Sequence, residues 1–136
     1  MSVNAYKGIE IGGGMKGAEK YGSEIHDEIG LKENHFIRHS NNAGGIEGGM
    51  SNGQPIILKV AMKPIPTLIK PLKSIDILTK EEKLAHKERT DSCAVPAASI
   101  IAESMLALSL ADALLEKFGG DSMQQLNNHI KASGKY

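Results

Sequence analysis

One cysteine, no tryptophan, two phenylalanines and three tyrosines are all the thiol, indole, phenyl and phenol side chains that 136 residues contain. The lone Cys93 excludes an internal disulfide framework and a cysteine zinc site; it reads as a small buried hydrophobe, and the expected compartment is a reducing, cytoplasmic one. With aromatics at 4%, the core must be aliphatic. Sixteen basic residues balance sixteen acidic ones, so no global field draws the chain to nucleic acid or to an anionic membrane. No basic start followed by an apolar stretch opens the sequence, so no secretory signal is expected. The longest apolar segment, Val95 to Leu115, contains Glu103 and Asp112 and reads as too polar for a membrane span. His26, His35, His39, His86 and His129 have no defensible metal-ligand spacing, so no metal is expected.

What is present is unevenly distributed. The length suits one modest domain that buries roughly two-thirds of its unfolded surface. "YKGIEIG" from Tyr6 has the composition of a short strand, and "PIILKVAMK", 55 to 63, alternates well: Ile56, Leu58, Val60 and Met62 face one way, Ile57, Lys59, Ala61 and Lys63 the other. "LKSIDIL", 72 to 78, alternates similarly, and the prolines of "PIPTLIKP" predict an extended turn between the two. A helix is predicted over 97–118, with Pro96 in its first turn and Gly119–Gly120 as its stop; its apolar stripe is wide enough to require packing on more than one side. A shorter helix follows, with Asp121 as the expected cap. Residues 12–55, rich in glycine, asparagine and charge, cannot supply much core.

The glycines suit three phosphate-binding templates unequally. "GGGMKG", Gly12 to Gly17, satisfies G-x-G-x-x-G, but the "AEKYGSEIHDEIG" that follows has almost no apolar stripe, so a dinucleotide unit fails for want of its helix. A Walker loop, which needs lysine and then a hydroxyl after its last glycine, fails too, because Gly49 is followed by Met50 where the lysine should stand, then Ser51. The third template treats "AGGIEGGMSNG" as main chain left bare for a flat or phosphorylated ligand, against the plainer reading of a mobile surface loop. Between Gly48 and Ile75 there is no acidic residue, while Lys59, Lys63, Lys70 and Lys73 lie inside that window, which predicts a local positive field. In "ERTDSCAVP", Arg89 is placed to bind an anion and Asp91 to accept a proton, with helix capping by Asp91 as the simpler alternative.

Five ordered segments carry a family resemblance. "VNAYKGIEIG", "GSEIHDE", "NNAGGIEGGMSNG", "KPIPTLIKPLKSID" and "RTDSCAVPAASIIAESM" follow the order and approximate spacing of the C-terminal part of chorismate synthase. The similarity runs from residue 2 to about 116. It implies an α+β fold of β-α-β sandwich type, antiparallel strands packed on long aliphatic helices, with residues 1–136 as the C-terminal portion and the amino-terminal part absent. It implies a lyase that eliminates phosphate from 5-enolpyruvylshikimate 3-phosphate to give chorismate, using reduced FMN, in a cytoplasmic homotetramer of the shikimate pathway. It leaves open an NADP-dependent flavin reductase activity. The resemblance assigns flavin contacts to Asn4, Ala5, Gly48, Lys63, Pro64, Ile65, Pro66, Thr67 and Arg89, and a proton relay to Asp91. Thr90 and Ser92 depart from the His and Pro that often flank this aspartate. The amino-terminal motifs, with the family's two catalytic histidines, have no counterpart here, so the fragment alone is expected to be inactive. The alternative from a different class is a stand-alone module for phosphate-ligand binding or oligomerisation, without catalysis.

Overall fold

The structure is a computed structural model that describes residues 2–88 and 93–134. Its contacts divide the chain into two compact units, Met1–Pro64 and Ile65–Tyr136, where length alone had suggested one domain.

In the first unit, β1 (Tyr6–Ile11) pairs antiparallel with β6 (Leu58–Met62), setting Ile9 opposite Val60 and Ile11 opposite Leu58. Val60, Leu58 and Met62 are half-buried and Lys59 and Ala61 exposed, as the alternation predicts. A register shift between Tyr6 and Gly8 gives β1 a bulge, which raises local twist. A 3-10 turn (Gly14–Glu19) and the four-residue α1 (Gly22–Ile25) follow, so no long helix succeeds the glycines and the dinucleotide template stays excluded. Next come two tight hairpins. β2 (Ile29–Lys32) pairs with β3 (His35–Arg38) across Glu33 and Asn34, both left-handed, with φ 50° and 65°. β4 (Ile46–Glu47) pairs with β5 (Met50–Ser51) across Gly48 and Gly49, with φ 57° and 79°. Two left-handed residues in a two-residue loop match the right-handed twist of the strands they join. The glycine-rich stretch is therefore hydrogen-bonded hairpin, where composition had allowed a loose loop.

The second unit opens with β7 (Lys73–Ile75), paired with β8 (Glu82–Leu84). The predicted strand 72–78 ends early because the Asp76 carboxylate accepts the N–H groups of Leu78 (2.9 Å) and Thr79 (3.1 Å), closing a turn. α2 (Val95–Phe118) stops at Gly119, which adopts φ 60°. α3 (Met123–Ala132) is capped by Ser122, whose hydroxyl accepts the Gln125 N–H at 3.2 Å; Gln125 in return accepts the Asp121 N–H. The cap is thus one residue later than expected, since the β-region backbone of Ser122 suits that position.

Among the described residues only Ala98 and Leu126 are buried hydrophobics. On α2, Ile100 (62% exposed) and Leu108 (66%) show how little of the apolar surface is covered. Its serine hydroxyls turn back onto the helix: Ser99, Ser104 and Ser109 donate to the carbonyls of Pro96, Ile100 and Met105 at 2.7, 2.8 and 3.1 Å. By length and composition α2 is long and apolar enough to cross a membrane, so Glu103 and Asp112 do not exclude that on polarity alone, contrary to the sequence reading.

Candidate functional site

Two places in the first unit gather residues singled out above. At the start of β1, Ala5 adopts φ 67°, which costs an L-residue with a Cβ roughly 1–2 kcal/mol. Its carbonyl accepts the Lys63 N–H at 2.7 Å, joining Asn4–Ala5 to Lys63–Pro64 across 58 residues of sequence. A strained backbone held by a long-range hydrogen bond marks a position that the surrounding fold enforces.

At the other end of β1 lies a cleft of about 330 Å³, lined by Gly13, Gly14 and Gly17 on one side and by Asn42, Ala43, Glu47 and Gly48 on the other, with Ile25, His26 and Asp27 completing it. That volume falls in the range of small-molecule sites. Its walls meet through the backbone: Gly12 donates to Ile57 (2.9 Å), Gly13 to Asn42 (2.7 Å) and Ile57 to Gly44 (3.1 Å). The left-handed Gly44 and Gly12 cross so closely that a Cβ on either would strike the other strand's backbone. At Gly48, by contrast, no atom lies within 4 Å of where a Cβ would stand, so its main chain is open to a ligand. The structure thus brings Asn4–Ala5 and Lys63–Pro64 together at the start of β1, while Gly48 lines the cleft that follows its end.

Ile65, Pro66 and Thr67 open the second unit in an irregular segment, Ile65 and Thr67 half-buried. Arg89 and Asp91 lie outside the described residues. Of the four lysines in the acid-free window, Lys73 binds Glu82 at 3.2 Å and Lys59 lies across the ladder from Glu10. Acids from outside the window therefore offset part of the predicted positive field. Lys63 and Lys70 have no carboxylate partner among the described residues.

Beside Gly48, the cleft is shaped by Asp27, Arg38 and Glu47, none of which had a role predicted from the sequence. Asp27 accepts hydrogen bonds from the Ser40 hydroxyl, the Asn42 N–H (2.7 Å) and the Ala43 N–H (2.8 Å). Burial alone would raise its pKa, but the Ser40 hydroxyl, the two backbone N–H groups and the Arg38 guanidinium together hold the carboxyl below its usual range. Arg38 forms a two-pronged pair with Glu47, which also accepts from Asn52 at 2.9 Å; this ties the β2–β3 hairpin to the β4–β5 hairpin. The only local signal was an aspartate fourteen residues ahead of "NNAGG", beyond any turn motif.

Antiparallel strand pairs with glycine-walled turns and a long apolar helix define an α+β fold. The chorismate synthase family model matches residues 1–115. A chorismate synthase from Aquifex aeolicus is 58% identical over 97% of this chain and 35% of its own length, and chorismate synthase 1 of Bacillus cereus strain ATCC 14579 is 55% identical over 100% and 35%. A solved structure described as the crystal structure of chorismate synthase superposes with a TM-score of 0.74 at 46% identity, covering 98% of this chain and 32% of that one. The chain belongs to the chorismate synthase family, and it spans about a third of the length of the relatives it matches.

Proposed function

We propose that this chain is the C-terminal portion of a chorismate synthase, contributing flavin-binding backbone to a lyase that eliminates phosphate from 5-enolpyruvylshikimate 3-phosphate. The observation that supports it most directly is the Ala5–Lys63 hydrogen bond, because it unites two segments that the resemblance assigns to one cofactor. The fit to FMN is also one of chemistry: Gly48 offers open main chain at a cleft, and Lys63 offers a cation without a described carboxylate partner. Reduced FMN, when bound, supplies electron density to the elimination and is not consumed.

Within this proposal the residues divide the labour. Asn4, Ala5 and Gly48 approach the flavin through bare or strained backbone, and Lys63 to Thr67 form a proline-stiffened wrap around it. Lys63 and Arg89 balance phosphate charge, and Asp91 holds and returns a proton near the flavin's reducible nitrogen. The uncovered face of α2 is then packed by the remaining two-thirds of the fold, in a cytoplasmic tetramer with no membrane or nucleic-acid partner. The isolated chain is catalytically silent.

The test is phosphate release from 5-enolpyruvylshikimate 3-phosphate with reduced FMN, first by this chain alone and then with a polypeptide carrying the rest of the family fold. The expected result is no turnover alone and restored turnover in the mixture. Turnover by the chain alone, or FMN binding unaffected by Lys63→Ala, overturns the assignment.

A further inference from the structure

The Asp27 carboxylate uses both oxygens on a single stretch of neighbouring chain. One accepts from the Ser40 hydroxyl and the Asn42 N–H, the other from the Ala43 N–H at 2.8 Å. That stretch is the far wall of the cleft. Directly after it come Gly44 and Gly45, left-handed at φ 65° and 82°, then the β4–β5 hairpin with Gly48 at its turn. Directly opposite, the Asn42 carbonyl receives the Gly13 N–H at 2.7 Å. Asn41 locks the same corner, accepting the Gly45 N–H and donating to the Pro55 carbonyl, both at 2.9 Å.

We infer that Asp27 is a positioning residue: by gripping Ser40, Asn42 and Ala43 it holds the Asn42–Gly48 wall at the spacing from Gly13 and Gly14 that keeps the flavin cleft open. The inference rests on the reading that Gly48 meets the flavin. Two successive backbone N–H groups facing a carboxylate form an anion-holding concavity, satisfied here from within the chain. An ionised carboxylate is the suitable occupant, since it only accepts, whereas an amide turns a donor toward one of those N–H groups. The charged and titratable groups around it are Arg38, whose guanidinium favours the ionised form, with Glu47 and His26 along the cleft and Glu28 next in sequence. Arg38 is itself engaged by Glu47, so the two hairpins and the Asp27 grip form one connected network.

The test uses the whole 136-residue chain, 15N-labelled, in its native, Asp27→Asn, Ser40→Ala and Val60→Ala forms. Amide exchange is followed first without ligand, then amide shifts are followed as FMN is added to millimolar concentration. Asp27→Asn is expected to speed exchange at Asn42, Ala43 and Gly13 about tenfold, the scale of one lost charge-assisted hydrogen bond, while Ile9 and Val60 in the β1–β6 pair are unchanged. It is also expected to abolish the FMN-dependent shifts of Gly13, Gly14 and Gly48 that the native chain is expected to show. Val60→Ala, which loosens the β1–β6 pair, is expected to keep those shifts; their equal loss there reduces Asp27 to general stability and overturns the inference. Unchanged exchange at Gly13 in Asp27→Asn overturns it as well. Should Asp27→Asn fail to fold, Ser40→Ala carries the same readouts, and no change in either of them is decisive against the grip. Native chain that shows the protected corner but no FMN shift refutes the flavin reading, and the positioning role with it, an outcome distinct from failure of the grip.

Discussion

Gly12 and Gly44 cross with no room between them for a side-chain carbon on either, and both hold positive φ. The crossing fixes where β1 ends relative to the turn that carries Asn42 and Ala43. Gly44→Ala must therefore move backbone as well as bear a strained dihedral, and is expected to cost more than about 2 kcal/mol. Gly49→Ala, equally left-handed but open around its Cβ position, is expected to cost only about 1 kcal/mol. Urea denaturation followed by far-ultraviolet circular dichroism separates the two, and equal losses would refute the steric account.

Ala5 is the complementary case. Its φ of 67° is left-handed without glycine's freedom, so Ala5→Gly is expected to stabilise the first unit by about 1 kcal/mol. The same measurement checks it; a loss of stability would show that the methyl group packs productively.

The pH dependence of Asp27 has a definite sign. Its folded-state pKa lies below the reference 3.8, so the stabilisation it confers is complete above 3.8 and fades as pH falls through the lower folded value. Carboxyl carbon shifts of Asp27, with exchange at Asn42 and Ala43, should titrate together below 3.8. Loss of Asn42 protection already near pH 5 would contradict this.

Ser122→Ala removes the hydroxyl that accepts the Gln125 N–H and is expected to cost about 1 kcal/mol, read as fraying of Met123 to Leu126 in amide exchange. Asp121→Ala, at the position that sequence pattern favoured, is expected to be nearly silent, because only its backbone N–H takes part.

These contrasts show where the sequence was informative. β1, β6 and α2 were legible because their period of two or their wide apolar stripe spans many residues, and Gly119 marked the helix end unaided. The hairpins inside 12–55 were hidden. Their strands run for two to four residues, too short for alternation to register, and the turn at Glu33–Asn34 lacks the usual glycine. β8 escaped for the same reason. At the site, the Ala5–Lys63 link and the Asp27 grip join residues 58 and 13 to 16 apart, and pairing at that range is set by strand register, which no local motif encodes. The flavin contacts proposed at Asn4, Ala5 and Lys63 rest on the resemblance alone; of the lysines in the acid-free window, Lys59 and Lys73 face acids brought in by pairing, whereas Lys63 and Lys70 have no carboxylate partner among the described residues.

The three serines of α2 have a thermodynamic corollary. Because Ser99, Ser104 and Ser109 already satisfy their hydroxyls on the helix's own carbonyls, α2 sheds little tightly held hydration when another surface closes over it. Docking of the remaining fold should then register in calorimetry as a large negative heat-capacity change with little dependence on salt.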